Sequence, residues 1–123
     1  MTILLDITPA PKPRQTRADK WKKRPAVMRY RAFADEVRLR FRDSDGLNRT
    51  KITFYMPMPK SWGKLRKELT DNTPHIQRPD IDNLAKSLFD AVYKDDSHIY
   101  DVRLVKMWAY KGAIKIERLP YLT

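Results

Sequence analysis

The first forty residues show two different patterns of hydrophobic positions. Ile3, Leu5 and Ile7 lie on one side of residues 2–7, and this alternation predicts a short, half-buried strand. Apolar residues then recur every three or four positions, which predicts an amphipathic helix over residues 26–41. The apolar stripe of that helix consists of Val27, Tyr30, Ala34, Val37 and Phe41.

A second strand is predicted where Ile52, Phe54 and Met56 alternate with more polar neighbours. Residues 60–78 then form a long connection, with one short helix predicted at residues 62–69. A connection of this length inside a compact domain is usually functional.

The last third of the chain predicts a helix followed by two strands. The helix covers about residues 81–93, and its apolar positions share one face. Residues 99–110 are rich in strand-forming residues, and a change in their alternation midway predicts a bulge. A Lys-Gly pair then predicts a turn into a last strand at residues 113–118.

The predicted order of elements is therefore β-α-β-α-β-β. This order indicates an α+β fold in which helices pack against a small mixed β-sheet. With 123 residues and no internal repeat, the chain is expected to form a single domain over residues 1–123. Two segments of it are expected to be basic and irregular, a Pro-rich arm at residues 9–25 and a loop at residues 60–79.

The composition narrows the class of protein. The chain has 26 Lys and Arg against 15 Asp and Glu, a net charge of +11, which favours nucleic acid as a partner over a merely solubilising surface. It has no Cys, which excludes disulfides, a thiolate nucleophile and Cys-ligated zinc. No apolar run is long enough to span a membrane, and Asp6 interrupts the apolar start, so neither a membrane nor a signal peptide is expected.

The charges are not spread evenly along the chain. Residues 12–31 hold nine Lys or Arg residues and a single acid, Asp19, whereas residues 80–101 hold six acids and two bases, a net charge of −4. Carboxylates repel DNA phosphates, so a protein that only bound a phosphate backbone would gain nothing from this acidic cluster. A divalent cation that bridges carboxylates to phosphate removes the conflict.

The first acidic pair lies in the motif RPDIDNLAK, residues 78–86. Asp80 is expected at or next to the N-cap of the helix and Asp82 in its first turn. Helix capping would explain either residue alone, because Asp is favoured at both positions. The presence of both, with Asn83 and Lys86 beside them, leaves capping and metal binding as open alternatives.

A second acidic pair, Asp95-Asp96, follows the helix. A solvated turn is the simple explanation of this pair. If the next strand folds back along the helix and the two pairs converge, they provide three or four oxygen ligands for one or two magnesium ions. The spacing does not establish that convergence, because a helix of twelve residues is about 18 Å long.

These motifs resemble the core of the RusA-type Holliday junction resolvases, small phage-associated endonucleases. The resemblance covers about residues 78–105 and rests on the runs DIDNL, FDA and DD, with Lys86 in the helix between the two acidic pairs. It implies that the metal-binding catalytic carboxylates are Asp80, Asp82 and Asp96, with Asp95 as a further metal ligand. It also implies that Lys86 is a functional base near the phosphate and that Asp90 supports the site.

By this resemblance, the protein is expected to be a homodimer that resolves four-way DNA junctions with Mg²⁺, for which Mn²⁺ may substitute, in the cytoplasm of a bacterial cell. Two alternatives remain open. One is a nuclease of the same chemistry that acts on flaps or forks, and the other is a non-enzymatic DNA-binding accessory protein. No nucleotide cofactor is expected, because a chain with three Gly residues offers no Gly-rich phosphate loop.

Basic side chains outside the acidic motifs are predicted to provide the affinity for DNA. His75 is expected in an exposed loop, either as a phosphate contact or with no role, and Trp21 and Trp62 either stack on splayed bases or pack against protein. The predicted DNA contacts are Arg14, Arg17, Lys20, Lys22, Lys23 and Arg24 in the arm, and Lys64, Lys67, His75 and Arg78 in the loop.

Overall fold

A computed structural model describes residues 2–13, 24–42 and 46–120. Every predicted helix and strand is present close to its expected position, and the mixed α+β architecture is confirmed. The elements in chain order are β1 (Thr2–Leu5), α1 (Pro25–Arg40), β2 (Thr50–Pro57), α2 (Lys64–Thr70), α3 (Ile81–Val92), a 3₁₀ turn (Asp96–His98), β3 (Val102–Ala109) and β4 (Ala113–Arg118).

The four strands form one mixed sheet in the order β1-β4-β2-β3. β2 and β3 are parallel, whereas β4 is antiparallel to both of its neighbours, β1 and β2. Two parallel strands need a crossover connection, and here it contains α2 and α3. The crossover brings the start of α3 next to the middle of β3, where the candidate site lies.

One prediction about the last strands is wrong. β3 contains no bulge, because each residue from Val102 to Ala109 pairs with one residue of β2 in an unbroken register. Most residues of this strand are only half-buried, so the polarity of a position does not indicate which face it occupies. The turn at Lys111 and Gly112 leads into β4 as expected, although β2 lies between the two strands that it joins.

The hydrophobic core lies between one face of the sheet and two helices. Ile52 and Phe54 of β2 are fully buried. Leu88 of α3 is also fully buried, and Leu84 is 1% exposed. Helix α1 packs against α3 and contributes Phe33, which the predicted stripe did not include, besides Val27, Ala34 and Val37. The other face of the sheet is more polar, because Lys51, Tyr55, Lys115 and Glu117 alternate with the core residues of their strands.

None of the helices within the described ranges combines the length and the apolar character needed to cross a membrane.

Candidate active site

The chain enters α3 through a cis peptide bond between Arg78 and Pro79. Asp80 is the N-cap residue, with an extended backbone, but within the described part of the chain its carboxylate caps no backbone N–H of the helix. Asp82 lies in the first turn, and its Oδ1 accepts the N–H of Asn83 at 2.9 Å. Both carboxylates are exposed. Capping therefore does not occupy the Asp80 side chain, which remains open to a ligand.

Asp80 and Asp82 line an open groove of about 690 Å³, which we call the entry groove. Residues 74–78 form one wall, and residues 104–107 of β3 form the other. The groove exists because residues 72–75 pair with the outer edge of β3. In that pairing the N–H of His75 donates to the carbonyl of Lys106 at 3.0 Å.

Lys106 is the residue of this groove that the sequence did not reveal. Its ammonium group donates to the carbonyl oxygens of Gln77 and Pro79, the latter at 2.7 Å, and so holds the two residues that flank Arg78. Burial lowers the pKa of Lys106, and the nearby negative charge of Asp80 opposes that change. A single lysine in a strand carries no sequence signal for such a contact, because the contact depends on how β3 meets the loop.

His75 also lines the entry groove, but its position differs from the expected one. The side chain is buried, with 5% of its surface exposed, and its ring packs against Trp108 at a centroid distance of 4.2 Å, with the two ring planes tilted by 52°. Burial lowers the pKa of His75, and the positive charge of Lys106 lowers it further. The predicted exposed loop position is therefore wrong, since edge pairing with β3 carries His75 into the protein.

Lys86 and Asp90 lie on the exposed face of α3 beyond Asp82. The ammonium of Lys86 is 3.3 Å from Oδ1 of Asp90, and the ammonium of Lys12 in the arm binds Oδ2 of the same carboxylate. Burial alone would raise the pKa of Asp90. The hydrogen bonds and positive charges of Lys12, and then of Lys86, have a larger combined effect, so the pKa of Asp90 lies below its ordinary value. Asp90 therefore links Lys86 to the arm, because its carboxylate binds the ammonium groups of both Lys86 and Lys12.

The base of the arm follows the same helix. Ser87 donates its hydroxyl to the carbonyl of Ala10 at 2.6 Å, and Pro11 lies beside Asp80 and Asn83 along a small cavity. Arm residues 10–13 thus flank the first acidic pair.

The second acidic pair follows α3 at its other end. Oδ1 of Asp95 accepts the N–H of Ser97 at 3.0 Å, and Asp96 begins the 3₁₀ turn. Hydrogen bonds from the backbone and side chain of Ser97 lower the pKa of Asp95, and the charges of His98 and Lys86 lower it further. Asp95 is fully exposed.

The convergence of the two acidic pairs is not seen among the described side chains. They include no group of three or more His, Cys, Asp or Glu able to hold a metal ion, and the side chain of Asp96 lies outside the description. The donor set nevertheless fits magnesium, which proteins usually bind through one or two carboxylates while water and substrate phosphate complete its coordination. Asp80 and Asp82, both exposed and both oxygen donors, suit that mode.

Apart from the buried His75, the predicted DNA contacts fall into two groups. Five arm residues, Arg14, Arg17, Lys20, Lys22 and Lys23, lie outside the described residues, and so does Trp21. Arg24 precedes α1, Lys64 and Lys67 lie on α2, and Arg78 is exposed on the rim of the entry groove.

Trp62 is largely covered by its neighbours. Its ring contacts Trp108 at a centroid distance of 4.9 Å, and the guanidinium of Arg66 lies 3.7 Å from its centroid. Packing against protein is therefore the role that this structure gives to Trp62.

Comparison with known proteins shows the family of the chain. The chain is 30% identical over 73 residues to the uncharacterized protein YqaN of Bacillus subtilis (strain 168), an alignment that covers 53% of this chain and 51% of that protein. The chain thus spans about half the length of this curated relative. The model of the family described as endodeoxyribonuclease RusA matches residues 6–117, nearly the whole chain. The chain belongs to the RusA endodeoxyribonuclease family.

Proposed function

We propose that this protein is a Mg²⁺-dependent endonuclease that cuts branched DNA, with the four-way junction as its substrate. The observation that carries the proposal is the pair of exposed carboxylates, Asp80 and Asp82, in a groove at the start of α3 in a chain of net charge +11. Membership of the RusA family supports the nuclease chemistry.

Asp80 and Asp82 would hold the magnesium ion, and Asp96 is the proposed third carboxylate. When bound, the ion neutralises charge on the phosphodiester and lowers the pKa of a coordinated water. Mn²⁺ has the same preference for oxygen ligands and is expected to substitute.

Lys86 is proposed to contact the phosphate that is cut. It lies one helical turn after Asp82 on the same face of α3, so its ammonium can approach a phosphate held beside that carboxylate. Asp90 limits the positions of the Lys86 side chain through their ion pair. The charge of Lys86 would then stabilise the negative charge that develops on the phosphate oxygens.

A homodimer is proposed as the active form. A four-way junction has two-fold symmetry, and two active sites related by a two-fold axis would place one nick on each of two opposing strands. The two other candidate functions are a nuclease that acts on flaps or forks and a DNA-binding protein without catalytic activity.

The proposal is tested by cleavage of matched four-way, forked and linear DNAs with Mg²⁺, by the wild-type protein and by Asp82→Asn. The wild type should nick the four-way junction in preference to the others. Asp82→Asn should lose at least about 100-fold in cleavage rate, because even partners outside the metal shell contribute about 10- to 100-fold. Its junction binding without metal should persist, because the substitution removes a metal ligand and no phosphate contact.

Asp71→Asn provides the matched control, since Asp71 is an exposed aspartate at the end of α2. It should cleave like the wild type. Preferential cutting of forks would favour the flap or fork alternative. A wild type that binds junctions and nicks none of these DNAs with Mg²⁺ or Mn²⁺ would overturn both nuclease functions.

A further inference from the structure

A second groove lies at the opposite end of α3 from Asp80. Its volume is about 640 Å³, and four cationic side chains line it. Among its described lining residues, Asp90 is the single acid. We call this surface the basic groove, and its cations are Lys12, Arg38, Lys86 and Lys94.

The four cations reach the groove from separate parts of the chain. Lys12 belongs to the arm, Arg38 to α1, Lys86 to α3 and Lys94 to the segment that follows α3. The carboxylate of Asp90 binds both Lys12 and Lys86. Asp35, outside the groove, pairs with Arg38, so two negative charges compensate four positive ones. Like charges that converge on a concave surface without equal compensation mark it as a site for an anionic partner.

Stabilisation of the C-terminal end of α3 explains the position of one of the four cations, Arg38, but not of all of them. Arg38 donates from Nε to the carbonyl of Ala91 at 3.1 Å, and cations near a helix C-terminus stabilise its last carbonyls. Helix α3 has no basic residue in its own last turn, which fits that role for Arg38. Capping does not account for Lys12 and Lys94, which line the same groove.

The basic groove is continuous with the candidate active site along α3. Lys86 lines it and lies between Asp82 and Asp90 on the exposed face of the helix. The eight steps from Asp82 to Asp90 span about 12 Å of helix. Consecutive phosphates of one DNA strand lie about twice as far apart as the axial rise of ~3.4 Å per nucleotide, because the strand winds around the axis. The 12 Å of helix therefore correspond to about two phosphates.

We propose that one DNA strand lies along the exposed face of α3, with the phosphate to be cut at Asp80 and Asp82. The basic groove binds the backbone of the same strand about two phosphates away. This inference rests on the proposed function for the position of the cut, but binding in the groove needs neither metal nor cleavage. The groove thereby fixes which phosphate reaches the carboxylates.

The first test measures junction binding in EDTA over a range of salt concentrations. Lys94→Ala should reduce the slope of log affinity against log salt by about 0.9, the value for one phosphate contact. Lys94→Arg keeps the charge and should keep the slope. Arg38→Ala should also lower the slope, and Lys94→Ala remains informative if the loss of the Arg38 bond to Ala91 impairs folding.

Lys51→Ala is the matched control, because Lys51 lies on the sheet face opposite to the helices. Its slope should equal that of the wild type. If Lys94→Ala and a folded Arg38→Ala lower the slope no more than Lys51→Ala does, the basic groove does not bind DNA and the inference is overturned.

The second test finds the bound phosphate by neutralising one phosphate at a time with methylphosphonate. Wild-type binding in EDTA should weaken when the phosphate about two positions from the nick, on one side, is neutralised. Lys94→Ala should be insensitive to that same replacement, because its contact is already lost. Sensitivity of Lys94→Ala equal to that of the wild type at every position would contradict the inference.

The two proposals fail in different ways. Absence of cleavage with a normal Lys94 effect on the salt slope would remove the proposed function and leave the groove as a DNA site. Normal cleavage with no Lys94 effect would remove the groove alone.

Discussion

The ammonium group of Lys106 donates a hydrogen bond of 2.7 Å to the carbonyl oxygen of Pro79, and this bond joins β3 to the residue that precedes Asp80. On its other side, the carbonyl of Asp80 accepts the N–H of Leu84 at 3.1 Å, the first hydrogen bond of α3. The backbone of Asp80 is therefore held on both sides. One of these two restraints comes from a lysine that is distant in sequence.

Lys106→Met should reduce cleavage by about 10- to 100-fold, the range found when the partners of metal ligands are removed. The change releases the carbonyls of Gln77 and Pro79, so that the start of α3 loses its anchor on β3. The amide of Leu84 should exchange hydrogen faster, and Mn²⁺ binding, measured by electron paramagnetic resonance, should weaken. The measurements are cleavage rate, hydrogen exchange and metal binding.

Lys106→Arg keeps both charge and donors and should restore much of the activity. Tighter Mn²⁺ binding by Lys106→Met would also be informative, because the positive charge of Lys106 lies near the negative charge of Asp80. If Lys106→Met bound Mn²⁺ more tightly and cleaved as fast as the wild type, Lys106 would act only as a charge that repels the metal, and the positioning role would be wrong.

Asp90→Asn should lower the cleavage rate by about tenfold or more, since Asp90 orients Lys86. The amide keeps the size of the side chain but loses the charge that binds Lys12 and Lys86. Junction binding should be kept or slightly strengthened, because a negative charge near phosphates is removed. Single-turnover cleavage and binding in EDTA separate the two effects.

The control is Glu36→Gln, because Glu36 also pairs with a cation, Arg40, but on α1 and outside both grooves. It should cleave like the wild type. Equal losses in Asp90→Asn and Glu36→Gln would show that general surface charge, and not the position of Lys86, determines the rate.

Tyr93→Phe should lower the free energy of unfolding by about 1–3 kcal/mol, because the backbone N–H of Leu47 loses its acceptor. In the wild type this N–H donates to the Tyr93 hydroxyl at 2.8 Å and joins the end of α3 to the start of β2. Urea unfolding measures the change.

Gly46→Ala should be more costly, since Gly46 has a φ of +69° and an added Cβ would lie 2.1 Å from the Tyr93 hydroxyl oxygen. In a Tyr93→Phe background that oxygen is absent, so the added cost of Gly46→Ala should be smaller. Strict additivity of the two substitutions would contradict the contact.

His75 should make the protein less stable as the pH falls below 6.5. Burial and then Lys106 lower its pKa in the folded state, so the unfolded chain takes up the proton first. The His75 contribution is complete above the ordinary pKa of 6.5 and decreases below it, by at most about 1.4 kcal/mol per pH unit. Urea unfolding from pH 7.5 to pH 5 measures the slope.

His75→Phe should flatten that pH dependence. A phenyl ring can pack against Trp108 and has no nitrogen to protonate. At pH 7.5 the variant should be about as stable as the wild type, because the Nδ1 of His75 has no hydrogen-bond partner among the described residues. A pH slope as steep as that of the wild type would assign the effect to another group.

The sequence determined the elements and the family. Alternation at period two and recurrence at helical spacing are local signals, and they gave β1, α1, β2, α3 and β4 close to their observed bounds. The acidic pairs identified the family because their residues lie close together along the chain.

The tertiary structure decided which distant residues meet. β2 lies between β3 and β4, and His75 is buried at the edge of β3, because strand order and edge pairing depend on contacts between segments far apart in the chain. The same reason explains why the sequence did not reveal Lys106 or the basic groove. A lysine has no periodicity that tells whether it faces solvent, a carbonyl oxygen or a phosphate. Only the packing of β3 against the loop, and of the arm and α1 against α3, gave these cations their positions.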